Sequence, residues 1–89
     1  MALRILGTAD GDGVAREMKQ AIEAAIAGAS AEVEARGAGH YQVRVVSAAF
    51  AGKTPVQRQR MVYGAIGHFL AGDTAPVHAI DRMETSTPA

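Results

Sequence analysis

Apolar side chains recur every three or four residues along two long stretches of the chain, a spacing typical of amphipathic helices. The first stretch runs from Val14 to Ile26, with charged residues on its other side. Asp12 precedes it as a candidate N-terminal cap, and Gly28 follows it as a candidate end. These features predict an ordinary helix that packs one face against a core.

The second helical stretch covers residues 54–72. Thr54 and Gln57 have the spacing of a capping box, and Pro55 stands at the first helical position, where its missing N–H costs nothing. Gly72 follows as the expected end of the helix. The apolar face predicted for this helix consists of Val62, Ala65, Ile66 and Phe69.

Three shorter segments have the pattern of strands. Apolar and polar residues alternate in the segment 41–47, and a glycine-rich connection joins it to the segment 31–36 as an expected antiparallel neighbour. The segment 76–83 follows the second helix, and a strand–helix–strand unit places its two strands parallel. The expected fold is therefore α+β, with two helices on one face of a three-stranded mixed sheet.

A chain of 89 residues allows one domain with a single core. We expect a flexible N-terminal segment at 1–12, a domain at 13–84 and a frayed tail at 85–89. The first residues contain too short an apolar run for a signal peptide, and no stretch approaches membrane-spanning length. These features predict a soluble cytoplasmic protein, monomeric when alone and without a membrane partner.

Nine basic and nine acidic residues cancel, so the net charge predicts neither a nucleic-acid nor a membrane partner. Their distribution is uneven, because residues 35–72 carry five basic side chains and no acidic one. The five are Arg36, Arg44, Lys53, Arg58 and Arg60. They form either solvated faces of helices and strands or a local positive surface for an acidic partner, a phosphate or an anionic cofactor.

The chain contains no cysteine, which excludes a disulfide scaffold, a thiol nucleophile and any thiolate metal ligand from this sequence. The stretch "SAAFAGKT" lies between a strand and a helix and ends like a phosphate-binding loop. Ser47, however, stands where that motif requires its first glycine. We therefore interpret the stretch as a turn anchored by Phe50, and no catalytic grouping of residues indicates an enzyme.

Three histidines remain as candidates for chemistry. His68 lies on the second helix, where a partly exposed position is the simplest interpretation. His40 ends the glycine-rich connection, from which a side chain can reach solvent or a ligand. His78 begins the last strand, where the pattern by itself favours a packed core or edge histidine. The residues alone leave a structural role and a ligand role open for both His40 and His78.

Several short motifs follow one another in a distinctive order. They are Val-Val-Ser at 45–47, Phe50 with Gly52, Arg58 and Arg60 ahead of Val62-Tyr63, Val77-His78-Ala79, and Thr87-Pro88. This order resembles the BolA family over about residues 14–88. The chain departs from the family at Gln59, which usually is histidine, and at Asp81 and Arg82, which interrupt the apolar alternation of the last strand.

The resemblance implies an αββαβ fold similar to a class II KH domain. It also implies a monothiol glutaredoxin partner, with which family members share a [2Fe–2S] cluster that glutathione also ligates. His78 matches the family's characteristic histidine, so the resemblance implies that it is a cluster ligand. The family's second ligand is a His or Cys in the loop between the first two strands, where His40 is available. Neutral imidazoles in place of thiolates would raise the potential of the cluster.

The resemblance favours a non-enzymatic accessory protein of iron–sulfur assembly, trafficking or iron-redox signalling. Lys53, Arg58 and Arg60 would bind the partner, through its acidic tail or the carboxylates of glutathione. The alternative is a KH-like transcriptional regulator that binds nucleic acid through the same basic residues. Against this alternative, no Gly-x-x-Gly tetrad occurs at the expected position before the second helix.

Overall fold

The structure is a computed structural model that describes residues 12–72 and 75–88. Its elements follow the order helix, strand, strand, helix, strand, which confirms the predicted fold class. They are α1 (Val14–Ala25), β1 (Ser30–Ala35), β2 (His40–Val46), α2 (Pro55–Leu70) and β3 (Ala79–Ser86). Apart from Asp12, the N-terminal segment predicted at 1–12 lies outside the described residues.

The three strands form one sheet in the order β1, β2, β3. β1 pairs antiparallel with β2, and β2 pairs parallel with β3, as the hairpin and the strand–helix–strand unit predict. Both helices contribute to a single core with the central strand β2. The fully buried side chains of this core include Met18 and Ile22 of α1, Val43 and Val45 of β2, and Val62 and Ile66 of α2. No helix in the described ranges is long and apolar enough to cross a bilayer.

The beginning of α1 differs from the prediction. Gly13 already has helical backbone angles (φ −67°, ψ −44°), and no side chain caps this position in the described part of the chain. The predicted cap at Asp12 is therefore wrong, because the helical turn begins ahead of Val14. At the other end, Ile26 donates its backbone N–H to the carbonyl of Ile22, and Gly28 follows with φ +67°. The predicted end at this glycine is confirmed.

The capping box of α2 is confirmed. The Gln57 N–H donates to Thr54 Oγ1 at 3.1 Å, and the Thr54 N–H donates to Gln57 Oε1 at 3.0 Å. Pro55 occupies the first helical position. On the predicted apolar face, three residues are buried and one is half-buried; the buried ones are Val62, Ile66 and Phe69, and the half-buried one is Ala65.

The turn between β2 and α2 is a short 3₁₀ turn at Ala48–Phe50. The ring of Phe50 is fully buried, which confirms its predicted anchoring role. Ser47 is also fully buried, and its hydroxyl donates to the carbonyl of Ala27 at 2.8 Å while accepting from the N–H of Ala49 at 3.0 Å. This one hydroxyl ties the end of β2 to the turn that follows α1.

β3 begins and ends three residues later than the predicted segment 76–83. It runs from Ala79 to Ser86, and Thr85 and Ser86 pair with the end of β2. These two residues therefore belong to the sheet, whereas the composition assigned them to a frayed tail.

A bulge in β3 explains why polar residues interrupt its apolar alternation. The register shifts after Ile80, which pairs with Tyr41, so that Gln42 pairs with Arg82 and Asp81 is an extra residue. The shift places Met83 opposite the buried Val43. Both Asp81 and Arg82 are exposed. A bulge of this kind re-aims a side chain without moving the rest of the strand off the core.

Candidate functional site

The amino ends of β2 and β3 lie side by side at one end of the sheet. The carbonyl of Gly39 accepts the backbone N–H groups of His78 and Ala79, at 2.7 and 3.1 Å. His40 pairs with Ala79 in the parallel ladder. The fold therefore brings the chain at His40 and the chain at His78 to neighbouring positions.

His78 is exposed and lies immediately before β3. The interpretation of His78 as a packed histidine, which the strand pattern alone favours, is therefore wrong. The buried neighbour is Val77, whose N–H donates to the carbonyl of Phe69 in α2 at 3.1 Å and so joins the end of α2 to this segment. Within the described residues, no side-chain hydrogen bond engages the His78 imidazole, so its ring nitrogens are available to a ligand.

The position of the His78 ring depends on Gly39. This glycine has φ +75°, a conformation that L side chains rarely adopt, and the imidazole covers the face where its side chain would lie. A Cβ atom at position 39 would overlap Cδ2 of His78. The Gly39 turn thus packs against the His78 ring, and the Gly39 carbonyl accepts the backbone N–H of His78.

His40 is also exposed, and its partner is Asp81. The Nδ1 atom of His40 lies 3.0 Å from Oδ1 of Asp81, and both side chains are about half exposed. The contact spans the bulge in β3. Sequence reasoning identified both residues but did not connect them, because the register that joins them is not visible in the sequence.

The basic candidates lie at the other end of α2. Lys53 precedes this helix, whose 16 residues extend about 24 Å, and the end of the helix contacts the segment before His78. The Nε atom of Arg58 donates to the carbonyl of Lys53 at 3.0 Å, and its guanidinium lies 5.9 Å from the centre of the Phe50 ring. Arg60 is exposed. The structure therefore does not bring these basic residues together with the histidine pair.

The other two basic residues of the acid-free stretch are paired. Arg44 contacts Glu32 and Glu84 from the neighbouring strands, and Arg36 contacts Glu34. On the exposed face of the sheet, hydrogen bonds from Arg82 and then from Arg44 lower the pKa of Glu84. Neighbouring glutamates therefore balance the positive charges of Arg36 and Arg44. Both arginines fit the interpretation as solvated surface side chains rather than as parts of a positive binding surface.

The order of the elements defines a small αββαβ domain, and two exposed histidines lie at one end of its sheet. Comparison with known proteins identifies the family of this domain. The family model described as BolA-like protein matches residues 15–89. The chain therefore belongs to the BolA family.

Curated relatives match over part of the chain. Over 50 residues, this chain is 46% identical to BolA-like protein 1 of Bos taurus and 44% identical to BolA-like protein 1 of Homo sapiens. The matched segment is 56% of this chain and 34% of each relative. The chain thus matches about a third of the length of these curated relatives.

Solved structures share the fold over most of the chain. BolA1 from Mus musculus superimposes with a TM-score of 0.68 at 32% identity, over 84% of this chain and 65% of that one. BolA1 from Arabidopsis thaliana gives a TM-score of 0.68 at 28% identity, over 83% and 90%. A bolA protein homologue from Coxiella burnetii gives 0.62 at 30% identity, over 82% and 88%. The fold described above is the fold of these BolA structures.

Proposed function

We propose that this protein is a non-enzymatic accessory of iron–sulfur assembly, trafficking or iron-redox signalling. It pairs with a monothiol glutaredoxin and supplies imidazole ligands to a shared [2Fe–2S] cluster. Membership of the BolA family supports the proposal. The observation that carries it is the exposed His78, which the buried Val77 and the turn at Gly39 hold at the end of the sheet, and whose ring makes no side-chain hydrogen bond within the described residues.

The donor set of the chain fits part of such a cluster. Imidazole nitrogen is a good ligand for iron, and His40 lies beside His78 at the same end of the sheet. In the described residues, no group of three or more His, Cys, Asp or Glu could hold a metal ion. A cluster shared with a partner suits this arrangement, because the two histidines would bind one iron while glutaredoxin and glutathione supply thiolates to the other.

The basic residues have a separate role in this proposal. Lys53 and Arg58 lie near the start of α2, whereas the end of that helix contacts the segment before His78. An acidic segment of the partner that extends along α2 is the contact that suits Lys53, Arg58 and the exposed Arg60. Opposite charges on such surfaces chiefly accelerate association and select the partner.

The alternative function, a KH-like nucleic-acid-binding regulator, rests on fewer positive charges than the sequence indicates. Arg36 and Arg44 are paired with glutamates, which leaves Lys53, Arg58 and Arg60 as the candidate phosphate contacts. Contacts from these three residues would give a shallow dependence of affinity on salt. We therefore favour the cluster-sharing role.

Titration of the apo chain into a cluster-loaded monothiol glutaredoxin with glutathione tests the proposal. The expected result is a heterodimer on size exclusion with visible absorption and circular dichroism that differ from those of the glutaredoxin homodimer. Absence of any complex at about micromolar concentration would overturn the proposal. Binding to a DNA duplex whose dependence on salt becomes shallower in the Arg58→Ala/Arg60→Ala variant would favour the alternative.

A further inference from the structure

The contact between His40 and Asp81 indicates a role for Asp81, which is not itself a proposed ligand. We infer that Asp81 is a positioning residue, which fixes the tautomer and ring orientation of His40 and so leaves Nε2 as the nitrogen that would bind a metal. The use of that nitrogen by a cluster rests on the proposed function. The tautomer itself is a property of the chain alone.

The hydrogen bond determines where the proton of a neutral His40 lies. An ionised carboxylate can only accept, so the Nδ1 atom that lies 3.0 Å from Asp81 Oδ1 must be the protonated one. The other nitrogen, Nε2, then carries the free lone pair that a metal requires. Histidines that bind metals commonly donate their second N–H to a carboxylate in this way, which fixes the ring and raises its basicity.

A bulge in β3 adjoins this carboxylate. A regular ladder that continued past Ile80 would already place Asp81 on the exposed face that carries His40. The extra residue lets Arg82 face solvent as well, and the carboxylate of Asp81 reaches His40 at the start of the adjacent strand. Bulges are frequent beside functional sites.

The neighbouring charges leave Asp81 free for this contact. Arg82, the adjacent cation, donates to Glu84 at 2.7 Å, and Arg44 donates to the same glutamate at 3.1 Å. Neither arginine contacts Asp81 within the described ranges. The strand thus carries two acids with different partners, since Glu84 binds arginines and Asp81 binds a histidine.

Nitrogen-15 correlation spectra of the imidazole rings test the tautomer in the apo protein at about pH 8, where an ordinary histidine is neutral. The wild-type chain is expected to show His40 as a single Nδ1–H tautomer, and Asp81→Ala is expected to give an exchanging mixture. Glu84→Ala is the matched control, because it removes one acid from the same strand without touching His40. An exchanging mixture in the wild-type chain, or an unchanged tautomer in Asp81→Ala, would overturn the inference.

Metal binding then tests the consequence. Zn²⁺ alone, titrated into the apo chain and followed at His40 Nε2, is expected to bind about 10–100-fold more weakly to Asp81→Ala than to Glu84→Ala. Equal affinities would contradict the positioning role, and so would zinc that leaves the His40 nitrogen signals unchanged in the wild-type chain. If the wild-type chain forms no mixed cluster with glutaredoxin, the proposed function fails, while the tautomer and zinc results still decide the role of Asp81.

Discussion

The imidazole of His78 lies directly over Gly39, in the space that a side chain at position 39 would occupy. The two residues are also joined by a 2.7 Å hydrogen bond from the His78 N–H to the Gly39 carbonyl. A loop residue and a residue before the last strand thus fix the histidine that the proposed function requires. The glycine is part of the site although it has no side chain of its own.

Replacing this glycine is expected to cost more than the strain of its backbone. Gly39→Ala should lower the free energy of unfolding by about 1–3 kcal/mol for the positive φ alone, with an added cost from overlap with His78. Gly52→Ala is the matched control, since Gly52 has nearly the same φ (+77°, against +75° for Gly39) but a Cβ atom there would meet nothing within 4 Å. Urea unfolding of both variants measures the difference.

A double substitution separates the overlap from the strain. Gly39→Ala/His78→Ala should recover the overlap part of the loss and approach the stability change of Gly52→Ala, because residues in contact are energetically coupled. Additive effects of the two substitutions would contradict the contact.

The buried hydroxyl of Ser47 makes a second specific prediction. Ser47→Ala should destabilise the fold by about 1–3 kcal/mol, because it leaves the Ala27 carbonyl and the Ala49 N–H without their partner. Ser30→Ala, at an exposed position in β1, should change the stability by less than about 0.5 kcal/mol. Equal effects of the two substitutions in urea unfolding would show that the Ser47 hydroxyl does not hold the turn.

Acid should weaken the contact between α1 and β1. Lys19 and the Ala31 N–H both bond to Glu23, and they lower the pKa of its carboxyl from the ordinary 4.5. A lowered pKa in the folded state stabilises the fold above the ordinary pKa, and this stabilisation disappears as the pH falls through the lowered value. The stability difference between the wild-type chain and Glu23→Gln should therefore shrink below about pH 4.5.

Unfolding curves between about pH 7 and pH 3 measure this difference. Glu17→Gln, on the exposed side of the same helix, is the control for loss of a carboxylate as such. A Glu23→Gln difference that stays constant over the whole range would contradict the assigned contact.

The exposed face of α2 offers a stabilising substitution. Gly64 is exposed, and nothing lies within 4 Å of a Cβ atom built there. Gly64→Ala should therefore raise the free energy of unfolding by about 0.5–1 kcal/mol, because alanine loses less backbone entropy in a helix than glycine. A destabilised variant in urea unfolding would indicate that another part of the chain approaches this face.

Local patterns in the sequence predict the helices and the hairpin because each depends on residues close together in the chain, and the strand–helix–strand order predicts the parallel pair. The capping box of Thr54 and Gln57 is such a local signal. The bulge at Asp81 is different, since it arises from matching β3 to β2 across the whole intervening helix. The sequence shows that Asp81 and Arg82 interrupt the apolar alternation, but it does not show that a bulge accommodates them.

The candidate site, like the fold, combines features that the sequence predicts with features that depend on long-range contacts. Composition and spacing could not separate a packed His78 from an exposed one, and only the resemblance to a family favoured a ligand. The position of β3 three residues later than predicted is what leaves His78 outside the strand and in solvent. The contact of His78 with Gly39 joins residues distant in sequence, so no local pattern indicates it.

The most direct test of the central claim compares two histidine variants in the mixed complex. The apo chain, His78→Ala and His68→Ala are each combined with a cluster-loaded monothiol glutaredoxin and glutathione, and visible circular dichroism is recorded. His68 is a suitable control because it is an exposed histidine on α2 and is not one of the proposed ligands. We expect the spectrum of the mixed cluster from the wild-type chain and from His68→Ala, and its loss in His78→Ala. A His78→Ala spectrum identical to the wild-type one would contradict the claim that His78 binds the cluster.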